Sequence, residues 1–308
     1  MKRTLTQKLL LSIKGMAMGA ADVVPGVSGG TIAFITGIYE ELITSIDNIN
    51  LSAIKVLRKE GLTAFWNHIN GTFFLFLFAG IILSIASLAK IVVFTLEESP
   101  VLIWSFFFGL ILASTYIIGK TITNWTSKSI VAGLIGLVIA LFISSIQTVA
   151  QIDNTWYIFL SGAVAICAMI LPGISGSFIL VLMGSYHLVL NALKEKELFT
   201  IVVFLGGCVV GLLSFSKLLK FLFTKYKTLT IAVLTGFMLG SLYKVWPWKI
   251  NTGDAPLVIH SDGKEDWMQM NVWPAGFDGD AQIGMAILCC LFGLVLVIAL
   301  DKFSPKDK

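Results

Sequence analysis

The sequence predicts an all-α polytopic membrane protein built as an inverted-topology repeat. Each half is one re-entrant helical hairpin plus three transmembrane helices. Three observations carry this. Of 308 residues, 56% are hydrophobic and 13% charged, with a mean hydropathy of +0.89, whereas soluble domains carry about 25% charged residues. The string PGVSGGT at residues 25–31 returns as PGISGSF at 172–178. Lysine and arginine crowd into one set of connecting segments, the signature of a cytoplasmic face.

The elements follow in chain order. A membrane-spanning helix needs about 20 mostly apolar residues. Residues 8–46 read instead as two shorter apolar pieces, 8–23 and 29–46, split at Pro25 and Gly26. The basic start of this segment reads as part of the first membrane element rather than a cleaved signal. The insertion at 48–68 alternates apolar positions with lysine and arginine at helical spacing and reads as an interfacial amphipathic helix. Spans at 71–96, 100–119 and 129–149 complete a first repeat of residues 1–149. The second repeat, 150–308, holds a hairpin at 156–193 split at Pro172 and Gly173, spans at 198–222 and 228–245, a solvated outer loop at 246–281 and a last span at 282–301.

Charge decides whether the split segments cross or return. With both re-entrant, 16 lysines and arginines lie on the inner side and 5 on the outer. With both crossing, the tally is 11 against 10. The positive-inside rule selects re-entrance, with both termini cytoplasmic.

The halves are copies. A shift of 147 residues pairs Pro25 with Pro172, Ser28 with Ser175, Gly29 with Gly176, Gly37 with Gly184 and Tyr39 with Tyr186. A shift of 127 pairs Gly80 with Gly207, Lys90 with Lys217 and Gly109 with Gly236. Three spans per half is an odd number, so the second half is expected to insert upside down. Substrate sites of such transporters lie near the midplane, where interrupted helices meet.

The breaks supply the candidate chemistry. A helix start after a glycine-rich break offers free N–H groups and the positive end of a dipole, which suits phosphate or carboxylate. The expected phosphate-binding residues are Gly26, Ser28, Gly29, Gly30 and Thr31 in the first copy and Gly173, Ser175, Gly176 and Ser177 in the second, with Pro25 and Pro172 as the helix breaks. Asp22, within an apolar half-helix, has Met169 as its counterpart. It either caps the break or carries a coupling proton. Lys90 and Lys217 are candidates for head-group attraction or for simple snorkelling, and the repeat-equivalent Glu40 and His187 are candidate titrating groups. Cys167, Cys208, Cys289 and Cys290 lie in apolar runs without metal-ligand spacing, so no metal or cofactor is expected. No nucleophile, base and orienting group cluster, so no enzyme is expected.

The motif KGMAMGAADVVPGVSGGTIAFITGIYEELI at 14–43, together with LPGISGSFILVLMGSYHLVL at 171–190, resembles the two signatures of the polyprenyl-phosphate transporter family. The resemblance spans essentially the whole chain. It implies a bacterial cytoplasmic-membrane flippase that returns undecaprenyl phosphate from the outer to the cytoplasmic leaflet for envelope synthesis. It places the phosphate at the matching positions Pro25 to Thr31 and Pro172 to Ser177. Ser177 stands where the first copy has Gly30, and Phe178 where it has Thr31, so the half-sites should differ. The expected partners are this lipid and the bilayer, not nucleic acid, with a homo-oligomer left open. From the residues alone, a channel or ion-coupled transporter for a small anion is the alternative.

Overall fold

A computed structural model describes residues 3–24, 27–146, 154–252, 258–259 and 265–303. Pro25 and Gly26 lie outside the described residues. The chain is mainly helical. The first half comprises α1 (Leu5–Asp22), α2 (Gly29–Ile35), α3 (Tyr39–Asp47), α4 (Leu51–His68), α5 (Gly71–Ser87), α6 (Ala89–Glu98), α7 (Pro100–Thr121) and α8 (Ser127–Ser145). The second comprises α9 (Thr155–Ile170), α10 (Gly176–Leu182), α11 (Tyr186–Glu195), α12 (Leu198–Lys225), α13 (Lys227–Ser241) and α14 (Ile283–Phe303).

Local chemistry sets the helix starts. Thr4 and Gln7 form a reciprocal capping box on α1. Asn50, Thr126 and Asn154 cap α4, α8 and α9 through their side chains. Proline opens α7, where its missing N–H costs nothing.

Each broken segment doubles back. Arg3 at the start of α1 pairs with Glu41 of α3, and Asn70 at the start of α5 donates to Glu41 and Ser45 at 2.8 and 3.0 Å. In the second segment the Tyr157 hydroxyl donates to the Met183 carbonyl at 2.7 Å, and Ser161 meets Ser185 at 2.8 Å. The returning leg is not one helix, as the sequence suggested. It breaks again after α2 and after α10, where Gly37 and Gly184 adopt φ of 73° and 64°, a left-handed backbone that glycine takes without a Cβ clash. The second break bends the chain by 105° between α10 and α11.

Helix pairing recurs with fixed offsets. A methyl on Gly15 would strike the Leu77 carbonyl, and one on Gly162 the Phe204 carbonyl. The same holds for Gly80 on Ser12 and Gly207 on Phe159. These glycines bring backbones together, as small residues do between membrane helices. They set α1 parallel to α5 and α9 parallel to α12. The other two pairs exchange between halves. Gly109 of α7 abuts Cys290 of α14, and Gly293 abuts Phe106; Gly236 of α13 abuts Gly133 of α8, and Gly136 abuts Val233. Each of these contacts in one pair therefore maps onto a contact in its counterpart pair.

Among the described residues, three helices, α7, α8 and α12, are each long and apolar enough to cross a membrane, and up to five elements qualify if each bent pair is one span. The expected span at 71–96 is interrupted at Leu88, between α5 and α6. Exposed apolar side chains, among them Phe78, Ile82, Val138, Phe142, Leu288 and Phe292, cover the outer helix faces. Large exposed apolar surfaces of this kind suit lipid.

The amphipathic insertion forms α4, kinked at Gly61 with φ of 83°. The segment after α13 is not the plain solvated loop that its acidic composition suggests. Strand β1 (Lys249–Thr252) pairs antiparallel with β4 (Met268–Asn271), and β2 (Val258–Ile259) pairs with β3 (Glu265–Asp266). Trp246 packs edge-on against Trp248 and Trp273, and Trp248 donates to the Ala281 carbonyl at 2.8 Å. Trp248 is buried together with Val101 of α7 and Ala286 of α14, Trp246 packs against that cluster, and Trp273 stays exposed.

Candidate substrate site at the paired hairpin tips

The two breaks, 147 residues apart in sequence, meet in space. Ser28, fully buried, donates to the carbonyls of Met169 at 2.9 Å and Leu171 at 3.3 Å. In return the Gly173 amide donates to the Thr31 hydroxyl at 2.9 Å. Gly30 lies so close to the Ile170 carbonyl that no side chain fits between them. The tips are therefore joined by hydrogen bonds in both directions and by backbone contact. Gly173 has φ of 90° and faces the Phe237 carbonyl and Ser241 hydroxyl of α13.

The Gly29, Gly30 and Thr31 amides of the first tip already have acceptors inside the protein. Asp22 accepts from the Gly29 amide at 2.6 Å. The Ser28 hydroxyl accepts from the Gly30 amide at 3.0 Å and caps α2. The Ser28 carbonyl accepts from the Thr31 amide at 2.9 Å. A carboxylate thus sits where an external anion would approach the first break. The second tip is different. Met169 replaces the carboxylate, and Ser175 makes no capping bond to α10. The Ser175 and Ser177 hydroxyls meet each other at 2.8 Å, and Ser177 is exposed where its counterpart Gly30 is buried.

The other sequence candidates lie apart from the tips. Lys90 and Lys217 are exposed. Glu40 pairs with Lys227 at 2.6 Å. His187 packs edge-on against Tyr186. Beside the Glu40 pair, Asp47 meets Lys220 at 2.7 Å and Tyr39 rests on Phe223, so α3 is fastened along α12. A cavity of about 180 Å³ lies between them, lined by Ile43, Thr44 and Phe223 with Glu40, Lys220 and Lys227. Among the described residues, α11 has no comparable packing on α5, the equivalent partner.

Sequence reasoning overlooked two lysines near the second tip. Lys244 lies over the Phe178 ring at 4.3 Å, and Lys249 lies over the Trp104 ring at 3.6 Å. Burial pushes the Lys249 ammonium well below the ordinary lysine range, and the nearby positive charge of Lys244 adds to this. The only sequence signal was their place just after a span, in a tryptophan-rich stretch.

Fold and site together define a polytopic helical membrane protein whose two broken hairpins interlock at their tips. Comparison with known sequences narrows the class. A family described as undecaprenyl phosphate translocase-like matches residues 18–256, and the chain belongs to that family. It is 45% identical over 299 residues to a polyprenyl-phosphate transporter of Vibrio cholerae, covering 96% of both chains. It is 34% identical over 253 residues to a polyprenyl-phosphate transporter of Staphylococcus aureus, covering 76% of this chain and 85% of that one. No solved structure matches.

Proposed function

We propose that the protein transports polyprenyl phosphate across a bacterial cytoplasmic membrane, returning the lipid head to the cytoplasmic leaflet. Both named relatives are polyprenyl-phosphate transporters, and one of them aligns over nearly the full chain. The observation that carries the mechanism is the contact between the two broken-helix tips. In this reading the phosphate head meets Ser175, Gly176 and Ser177 of the second tip, whose hydroxyls are not committed to the scaffold. Hydrogen bonds to an anion are the strong ones, and they need no fixed cation at membrane depth. Ser28, Gly29, Gly30 and Thr31 form the opposing surface, with Pro172 and Gly173 setting the turn. The prenyl tail stays in lipid while the head passes.

Two further features support alternating access. The exchanged pairs α7–α14 and α8–α13 fit a two-fold relation between halves, as an inverted repeat requires. The hairpin legs break that relation, since α3 is fastened to α12 while, among the described residues, α11 has no comparable packing on α5. One end is then closed and the other open. Lysine counts assign the closed end to the cytoplasm. The Glu40–Lys227 and Asp47–Lys220 pairs act as its latch, and half-exposed pairs worth roughly 1 kcal/mol or less suit a contact that must open. Glu40→Gln with Asp47→Asn is expected to expose this cavity. A cysteine at Ile43, which lines this cavity and is buried in the latched protein, should then react several-fold faster with a membrane-impermeant thiol reagent than in the latched protein, and equal rates would remove the latch.

Asp22 is read as the internal anion of the first tip. Asp22→Asn keeps an acceptor for the Gly29 amide and is expected to retain most transport. Asp22→Ala leaves that amide unpaired at a cost of about 1–3 kcal/mol and is expected to lose most of it. Equal loss in both variants would assign Asp22 to proton coupling instead. Lys90 and Lys217 are exposed and are read as attracting the head group at the membrane faces.

The test is native mass spectrometry of the purified protein with anion-flux measurement in liposomes. Bound polyprenyl phosphate without small-anion flux is expected. Small-anion flux without lipid binding would favour an anion channel.

A further inference from the structure

Helix α13 leads from the latch to the second tip. It starts at Lys227, the partner of Glu40, and ends at Ser241, against Gly173. The chain leaving it carries Lys244 over the ring of Phe178, the residue after Ser177. Lys249 follows in β1, its ammonium on the face of buried Trp104 from α7. That ammonium is buried and has no hydrogen-bond acceptor among the described residues.

This is an unusual resting place. A lysine near a membrane surface ordinarily extends its ammonium to water. A buried charge is costly unless it is paired and hydrogen-bonded. The face of a tryptophan satisfies it only in part, and a second lysine nearby makes matters worse. Two neighbouring ammoniums, one of them unpaired, are complementary to a doubly charged anion. A phosphate monoester has that charge, and lysine binds phosphate as a point charge.

The surroundings select the source of the phosphate. An open, apolar groove of about 420 Å³ adjoins Lys244, lined by Phe108, Leu242, Tyr243, Trp246 and Trp273. A free phosphate has no use for such a surface, but the first isoprene units of a lipid do. The offset of 127 residues that relates the halves places Ile117 and Ile122 where Lys244 and Lys249 stand, and Ile231 where Trp104 stands. The cation pair therefore belongs to one end of the protein only.

We propose that Lys244 and Lys249 form a capture site for the phosphate head of a prenyl lipid, beside the second tip and at the end opposite the latch. Trp104 holds the Lys249 ammonium while the site is empty, and the groove takes the start of the tail. The site rests on the transport reading, and it is the step before the head reaches Ser175 and Ser177. Its charge also draws anionic heads toward the tip.

The test uses the full-length protein in nanodiscs with two probes, polyprenyl phosphate and inorganic phosphate. The Lys244→Met/Lys249→Met variant is expected to bind the lipid at least about tenfold more weakly, as loss of charge-assisted contacts implies, while Lys244→Arg/Lys249→Arg keeps binding. Lys249→Met should melt at or above wild type, because it removes an unpaired buried charge and keeps the side-chain length. The exposed Lys55→Met is the control. If wild type binds no lipid, the transport reading fails. If wild type binds and the double methionine variant binds equally well, the capture site alone fails. Loss of inorganic phosphate binding with lipid binding intact would overturn the lipid assignment.

Discussion

Gly30→Val is expected to reduce polyprenyl-phosphate transport to background while the protein still reaches the membrane. The hydrogen of Gly30 faces the Ile170 carbonyl with no room for a Cβ. A valine must push the two tips apart. That breaks the bonds from Ser28 to Met169 and Leu171 and from Gly173 to Thr31. Each hydrogen bond contributes about 0.5–1.5 kcal/mol net, and the single Ser28 proton is shared between two carbonyls, so the two donations amount to about 1–3 kcal/mol of tip-to-tip contact. The long helix pairs around α1–α5 and α9–α12 do not involve Gly30, so insertion should persist. Transport assays beside membrane quantification check this. Near-normal transport would mean that the tips need not touch for the head to cross.

Ser175→Ala with Ser177→Ala is expected to cut transport at least about tenfold and to leave thermal stability within roughly 0.5 kcal/mol of wild type. These hydroxyls bond each other, not the scaffold. Ser28→Ala should instead lower stability along with transport, because its hydroxyl serves Met169, Leu171 and Gly30 together. Its loss is expected to cost about 1–2 kcal/mol. The contrast separates a hydroxyl that holds the tips together from hydroxyls left for a ligand. If the two serine sites behaved alike, the division of roles between the tips would be wrong.

Much of this was legible in the chain. Low charge and long apolar runs announce a helical membrane protein, and the repeated Pro-Gly-x-Ser-Gly string marks the two segments that break and meet. What the string does not reveal is which donors remain free. That depends on Asp22 reaching Gly29 across seven residues and on Ser28 reaching across 141 residues, and such distant pairings leave no periodicity. Gly37 and Gly184 were visible as a matched pair, yet a glycine in an apolar run reads equally as close packing or as a turn. Only the positive φ separates the two. The β-pairing after α13 stayed hidden because its strands are two to four residues long, too short for an alternating pattern. Lys249 was hidden for another reason: its burial comes from Trp104, 145 residues earlier in the sequence.

Transbilayer movement of the lipid tests the central claim most directly. Purified protein in liposomes, with polyprenyl phosphate placed in one leaflet and its head accessible to a membrane-impermeant phosphatase, reports the crossing itself. Wild type should bring the opposite leaflet's share to equilibrium, and Gly30→Val should leave it at the level of protein-free liposomes. Equal lipid movement with wild type, Gly30→Val and no protein would contradict the account.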